Sequence, residues 1–225
     1  MRILRGVIFL SGGLYATMNP FAQTSLDKMP KPQDNVTPSA DSLAAAAGKA
    51  VKSGGLPPVH LWNPPFCGDL DIRIARDGTW FYLGTPIGRA PLVRLFSTIL
   101  KLEAGRYYLV TPAEKVGIRV DDAPFVAVDF TVAGQGEGQS LTFLTNLGDS
   151  AEAGPDHPIR VIRDPESGEP APYVMIRSGL EALIDRKSFY RLVDLAVPGI
   201  LEGQDWLGLW SAGRFFGLIP VDQLT

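Results

Sequence analysis

Residues 87–96 and 184–193 are written to one pattern, and that echo limits the possible folds more than any other feature of the chain. Ile87-Gly88-Arg89 and Ile184-Asp185-Arg186 each open on Ile-x-Arg. Two variable residues and two bulky apolar ones follow, then a second arginine (Arg94, Arg191), a leucine and another apolar residue. Each copy leads to an arginine, an aromatic pair and an apolar run ending in proline: Arg106-Tyr107-Tyr108 to Pro112, and Arg214-Phe215-Phe216 to Pro220. The pattern predicts a molecule made of two related units.

Within the first copy, Leu92, Leu95, Phe96 and Ile99 fall at i, i+3, i+4 and i+7, the spacing of one helix face. Phe189, Leu192, Val193 and Ala196 do the same in the second. Thr85-Pro86 has the order of an N-cap and a first-turn proline for the first helix. Around the helices the period changes to two. Leu70-Asp71-Ile72-Arg73-Ile74 alternates apolar and charged residues, Arg76-Asp77-Gly78 signals a turn, and 79–83 returns as a partner strand. Strands are also predicted over 107–111, 116–120, 125–132, 140–145, 159–162, 173–177, 206–209 and 214–219. Strands, helix, strands, twice over, give an α+β fold: an internal duplication of two strand-helix-strand units with antiparallel sheets. The expected divisions are a leader over 1–55, a first unit over 56–133 and a second over 134–225. The linker is expected near 134–138 or 149–158.

The leader is rich in Pro, Ser, Asp, Asn and Gly, a composition of disorder. Ser39 could cap a short alanine-rich helix, but with only Leu43 and Val51 as sizeable apolar residues it is expected to dock loosely or fray. Arg2 and Arg5 before Val7-Ile8-Phe9-Leu10 admit an export-signal reading. The alternative is an extension, or a start assigned too early with Met18 or Met29 the true one. The apolar run is too short to span a membrane.

Composition excludes several function classes. A net charge of -3 advertises neither nucleic acid nor an anionic membrane as partner. One cysteine and two histidines rule out a disulfide framework, argue against a His/Cys metal centre and fit a reducing compartment. Gly134-Gln135-Gly136-Glu137-Gly138 suggests a phosphate loop, but the following residues read as a strand where such a loop needs a helix N-terminus, so a hairpin turn is expected. No nucleophile elbow, zinc helix or calcium loop occurs, and no catalytic residue, metal site or cofactor is expected. Cys67, among apolar neighbours, is expected to be a buried, unreactive thiol. His60 is expected to be packed and hydrogen-bonded. Asp156-His157, held between Pro155 and Pro158, could work as acid and base or touch a ligand, or could simply cap a rigid loop.

The arginines are the stronger functional candidates, because a guanidinium matches carboxylate and phosphate. If two units pack about a pseudo-twofold axis, Arg89 and Arg186 could meet in one cleft. The structural alternative is a salt bridge in each unit, with Glu114 and Asp222 as partners. Lys115, Arg119, Arg73 and Arg177 could add to the same surface.

These motifs have a familiar set. Leu56-Pro57-Pro58-Val59-His60-Leu61-Trp62-Asn63-Pro64, Cys67-Gly68-Asp69, Asp77-Gly78-Thr79-Trp80-Phe81-Tyr82 and Gly84-Thr85-Pro86-Ile87-Gly88-Arg89 resemble the bacterial family called domain of unknown function 1285. The resemblance continues through Thr111-Pro112-Ala113-Glu114-Lys115, Asp122-Ala123-Pro124, Thr145-Asn146, Asp156-His157-Pro158 and Gly179-Leu180-Glu181-Ala182-Leu183, covering about 56–224. It implies a duplicated α+β architecture with a second unit loosely like pleckstrin-homology folds. It also implies a cytoplasmic setting and a role in bacterial signalling through a ligand held between the units. The first functional expectation is therefore a non-enzymatic module binding a small anionic, nucleotide-like ligand near Arg89, Glu114, Lys115, Asn146, Asp156, His157, Arg177 and Arg186. Two others stay open: an enzyme using His157 with Asp156 or Glu114, and an adaptor whose sheet edge or cleft takes up a protein segment.

Overall fold

In the computed structural model, which describes residues 39–50 and 55–224, local turn chemistry sets most of the strand boundaries. Asp77 Oδ1 accepts the Thr79 N–H at 2.9 Å, tightening the turn that joins β1 (Phe66–Ile74) to β2 (Trp80–Tyr82). A two-residue turn leads to β3 (Thr85–Pro86). The chain then crosses the sheet through α2 (Ala90–Thr98) and returns as the meander β4 (Leu100–Glu103), β5 (Arg106–Val110) and β6 (Lys115–Val120). The sheet order is β3-β2-β1-β6-β5-β4, with β1 and β6 parallel at its centre and every other pair antiparallel.

A second six-stranded sheet repeats that order. It contains β7 (Phe125–Ala133), β8 (Ser140–Thr145), β9 (Ser150–Glu152), β10 (Ile159–Arg163), β11 (Pro170–Arg177) and β12 (Leu180–Ile184). Its order is β10-β11-β12-β7-β8-β9, again with first strand beside last and parallel to it. The chain is thus a duplication, and each sheet is mixed around one parallel pair where wholly antiparallel sheets were expected. The third and fourth strands occupy opposite edges in both sheets. The first sheet spans that distance with α2. The second uses only residues 153–158, and β9 approaches β11 as the sheet curls.

The repeat read from the sequence is out of step with this one. α3 (Arg186–Val193) follows the sixth strand of its sheet, whereas α2 lies between the third and fourth. Each copy of the sequence echo is a helix followed by a three-stranded meander, but its aromatic pair falls on the middle strand in the first copy and on the last strand in the second. After α3 that meander is a separate sheet of β13 (Val197–Leu201), β14 (Gln204–Ser211) and β15 (Arg214–Pro220). The chain passes between the six-stranded sheets at 121–124. Residues 134–138 are the β7–β8 hairpin turn, so the division expected at 133/134 falls inside a hairpin, and the linkers expected at 134–138 and 149–158 lie within the second sheet.

The structure corrects four helix expectations. Pro86 belongs to β3, and α2 begins at Ala90 with Pro91 in its first turn. The buried face of α2 is Val93, Phe96 and Ser97, with Leu92 and Leu95 on its flanks. In α3, Ser188 and Leu192 are buried and Val193 is exposed. Finally, α1 (Ala40–Ala50) is well anchored: Leu43 and Ala47 are fully buried and the helix packs against α2. Ser39 and Ser42 cap it reciprocally, each side-chain oxygen accepting the other's main-chain N–H at 3.1 Å. The export-signal and leader readings of residues 1–38 and 51–54 lie outside the described residues.

One continuous apolar core joins α1, α2 and all three sheets, from Leu43 through Trp80, Phe96, Phe125 and Phe143 to Leu218. In the small sheet Phe215 lies across Gly199 and Gly208, where a Cβ would come within 2.4 Å and 2.6 Å of its ring. Those glycines are therefore the bed on which the aromatic face is laid.

Candidate ligand site

The two halves of the chain meet at Arg177, the last residue of β11. Its Nη1 donates to Asp149 Oδ1 at 2.5 Å and its Nη2 to the Ser97 carbonyl at 2.8 Å. Its guanidinium sits 4.9 Å from the Phe125 ring centre. Ser97 lies in the last turn of α2, where carbonyls have no partner within the helix and a cation is favoured. One side chain from the second sheet thus caps a helix of the first half.

Beside Arg177 is a cleft of about 430 Å³, within the range of small-molecule sites. The segment Leu56 to His60 forms one wall, Thr98 and Leu100 to Leu102 a second, and the β11–β12 turn with Leu180 the third. Its cationic groups are Lys101 and Arg177, with His60 alongside, and no carboxylate is among its lining residues. Lys101 Nζ donates to the Trp62 carbonyl at 3.2 Å, which fixes the ammonium while leaving it further donors.

Asn146 belongs to the same junction but serves the backbone. Its Oδ1 accepts the Val126 N–H at 3.1 Å, and its amide occupies the space a Cβ on Gly78 would need. The other expected residues lie elsewhere. Lys115 Nζ bonds Glu103 Oε2 at 2.8 Å on the first sheet, and that hydrogen bond, then the charge of Lys101, holds the Glu103 carboxyl below its usual range. Glu114 is half-buried, and burial pushes its carboxyl up. Arg89 is exposed at the N-cap of α2. Arg186 pairs with Glu169 at 2.5 Å on the rim of a separate cavity of about 410 Å³ lined also by Phe189 and Tyr190. Arg191 pairs with Asp129. The repeated arginines therefore do not meet, and Glu114 and Asp222 are not the salt-bridge partners of either helix.

His157 and Asp156 occupy the short link between β9 and β10. His157 Nδ1 is 3.1 Å from the Met175 carbonyl and so carries a proton to donate there, while Asp156 is exposed and makes no hydrogen bond with it. This is the rigid-loop arrangement. His60 and Cys67 are both exposed, against expectation, because the prolines around them carry the packing: Pro57 and Pro64 are buried. Among the described residues no three His, Cys, Asp or Glu side chains converge to hold a metal, and no helix is long and apolar enough to cross a membrane.

The sequence reading missed Lys101. The alternation Leu100-Lys101-Leu102-Glu103 before Ala104-Gly105 is a strand and a tight turn, a local signal that locates the strand but not the cleft its lysine lines.

Residues 57–123 match the N-terminal domain, and residues 124–218 the C-terminal domain, of the family described as domain of unknown function DUF1285. The chain belongs to the DUF1285 family. Its two matched domains adjoin at 123/124, within the segment where the chain leaves β6 for β7. A DUF1285 family protein from Silicibacter pomeroyi, known from a crystal structure, is 68% identical over 83% of this chain and 99% of that one, with a TM-score of 0.74. Another DUF1285 protein, from Shewanella baltica, is 29% identical over 56% of this chain and 91% of that one, with a TM-score of 0.45. No curated protein matches the chain.

Proposed function

We propose that this DUF1285 protein is a non-enzymatic binding module that takes a small anionic, nucleotide-like ligand in the cleft between its halves and serves bacterial signalling. The observation that carries the reading is the lining of that cleft. Both halves contribute walls, Lys101 and His60 line it with no carboxylate among the lining residues, and Arg177, already paired with Asp149, stands at its side. An anion entering there meets donors already held in place, so little ordering is needed on binding. The exposed thiol of Cys67 supports a reducing, cytoplasmic setting, since such a thiol is vulnerable where disulfides form. Six strands followed by one helix in the C-terminal half support a loose pleckstrin-homology likeness for it.

The test is a thermal-shift screen of the full chain against nucleoside mono- and diphosphates, cyclic dinucleotides and common metabolite anions. A ligand at a hundredfold over its dissociation constant adds about 2.7 kcal/mol to the folded state. A shift that disappears in Lys101→Ala supports the reading. No shift from any anion overturns it.

A further inference from the structure

The small sheet sends Leu209, Phe216 and Leu218 into the core, and its other face is laid flat. Side chains alternate along β14, so Trp206, Gly208 and Trp210 point away from the core. Phe215 crosses this outer face from β15 over Gly208 to Gly199. Trp206 crosses the opposite way, over Gly217, where a Cβ would come within 2.5 Å of its ring. Each ring can lie against the main chain because the residue beneath it has no side chain. Trp210, 5.4 Å from Phe215 and inclined to it by 59°, forms a lip at one end. Covering a glycine steadies a sheet whatever else the ring does, so the other side of each ring decides. β14 is the central strand and its main chain is paired on both sides. Trp206 and Trp210 are half-buried, and the exposure they keep therefore belongs to their side chains.

We infer that this face binds carbohydrate, in the form of a β-linked chain of pyranose rings with equatorial substituents. The site is separate from the cleft and independent of what binds there. A ring substituted in this way turns its axial C–H bonds to its two faces. Those bonds carry slight positive charge, which suits the negative face of an aromatic ring. The hydroxyls lie round the sugar's edge and need polar partners there. Gln204, two residues before Trp206 on the same face, stands at that edge. Its Nε2 is 3.4 Å from both carboxylate oxygens of Asp222, which leaves its carbonyl oxygen to accept from a hydroxyl. Three strands make the platform about 10 Å wide, room for more than one sugar ring. Charge disfavours a stacked nucleotide. Between 197 and 223 the chain carries Glu202, Asp205 and Asp222 against one cation, Arg214. That arginine is turned to the opposite face, 5.9 Å from the Phe216 ring centre, so a phosphate would find no counter-charge from this sheet. Flatness disfavours a proline-rich peptide, which docks in a groove between aromatic walls.

The probe is cellotetraose, titrated into the full chain by calorimetry and by saturation-transfer NMR beside maltotetraose, decaproline and adenosine monophosphate. The expected result is that cellotetraose binds and that its axial ring protons take up more saturation than its exocyclic methylene protons. Maltotetraose, whose α-links curl it out of a plane, binds at least fivefold more weakly. Trp206→Ala removes binding of cellotetraose, and Gln204→Ala, at an exposed position, weakens it at least threefold. Trp206→Ala also uncovers Gly217, so if that variant unfolds, the comparison of the two sugars and Gln204→Ala carry the test. No binding of cellotetraose at about 10 mM overturns the inference, as does equal binding of the two tetrasaccharides. Unchanged affinity in both variants puts the sugar elsewhere and overturns it as well. If decaproline or the nucleotide binds, is lost in Trp206→Ala, and cellotetraose does not bind, the platform belongs to that ligand and the carbohydrate inference falls.

Discussion

At the scale of single residues, Arg177 ties the halves together through the Ser97 carbonyl. Replacing it with alanine leaves Asp149 without its cation and the Ser97 carbonyl without its donor, both partly or wholly buried. Removing one partner of such a pair leaves the other uncompensated. Arg177→Ala is expected to cost about 2–4 kcal/mol, read from urea midpoints. Tyr173 offers a pH test. Its hydroxyl donates to Asp122 Oδ1 at 2.7 Å, and burial, then that carboxylate, pushes its pKa up to about 12. The raised value means the folded state holds the proton more tightly than the unfolded chain. The resulting stability is complete below pH 10 and is lost as pH rises from 10 toward 12. Wild-type protein should therefore lose stability across that window, and Tyr173→Phe should flatten this part of the slope. An unchanged slope in the variant would assign the loss to other groups.

At the scale of elements, α1 makes the clearest claim. A helix poor in large apolar residues was expected to fray, yet Leu43 is fully buried against α2. Leu43→Ala should destabilise the whole protein by about 2–5 kcal/mol, and amides of 40–50 should exchange slowly in the wild type. If the variant loses under 1 kcal/mol, the helix is peripheral. This element shows why legibility varied. β1 was readable from its period-two alternation, and β7 and β14 from apolar runs bounded by turn residues, because both signals are local. β12, Leu180-Glu181-Ala182-Leu183-Ile184, escaped although it lies beside β7 at the sheet's centre, because leucine, glutamate and alanine favour helix. Its strand state is imposed by neighbours distant in sequence. The helix faces shifted for a related reason: Ser97 and Ser188 are buried on them, and serine carries no apolar signal. The cleft was hardest to read. Arg177 was legible as a cation, whereas Lys101 depends on which way β4 faces.

At the scale of the whole molecule, the core runs without a break through both matched domains. Separate pieces ending at residue 123 and starting at 124 should therefore remain largely unfolded. The intact chain should unfold in one step, with tryptophan fluorescence, to which the buried Trp80 contributes, tracking far-ultraviolet dichroism. Two resolved transitions would instead mean that the sequence duplication survives as two independent folding units. The duplicated strand order was not legible in the sequence, whose echo marks helix-and-meander units out of step with it, since strand pairing at long range leaves little periodic trace.

That order also has a mechanical consequence. In each six-stranded sheet the first and last strands lie side by side and run in the same direction. Tension applied along the chain pulls the start of one and the end of the other, so the load falls on the hydrogen bonds between them as shear, all at once. A sheet whose terminal strands were at its edges would peel open one bond at a time. The chain therefore places two shear-loaded ladders in series, each of which must break before its own six-stranded sheet can unravel, while the meander β13–β15 lies beyond the second clamp and takes the load directly.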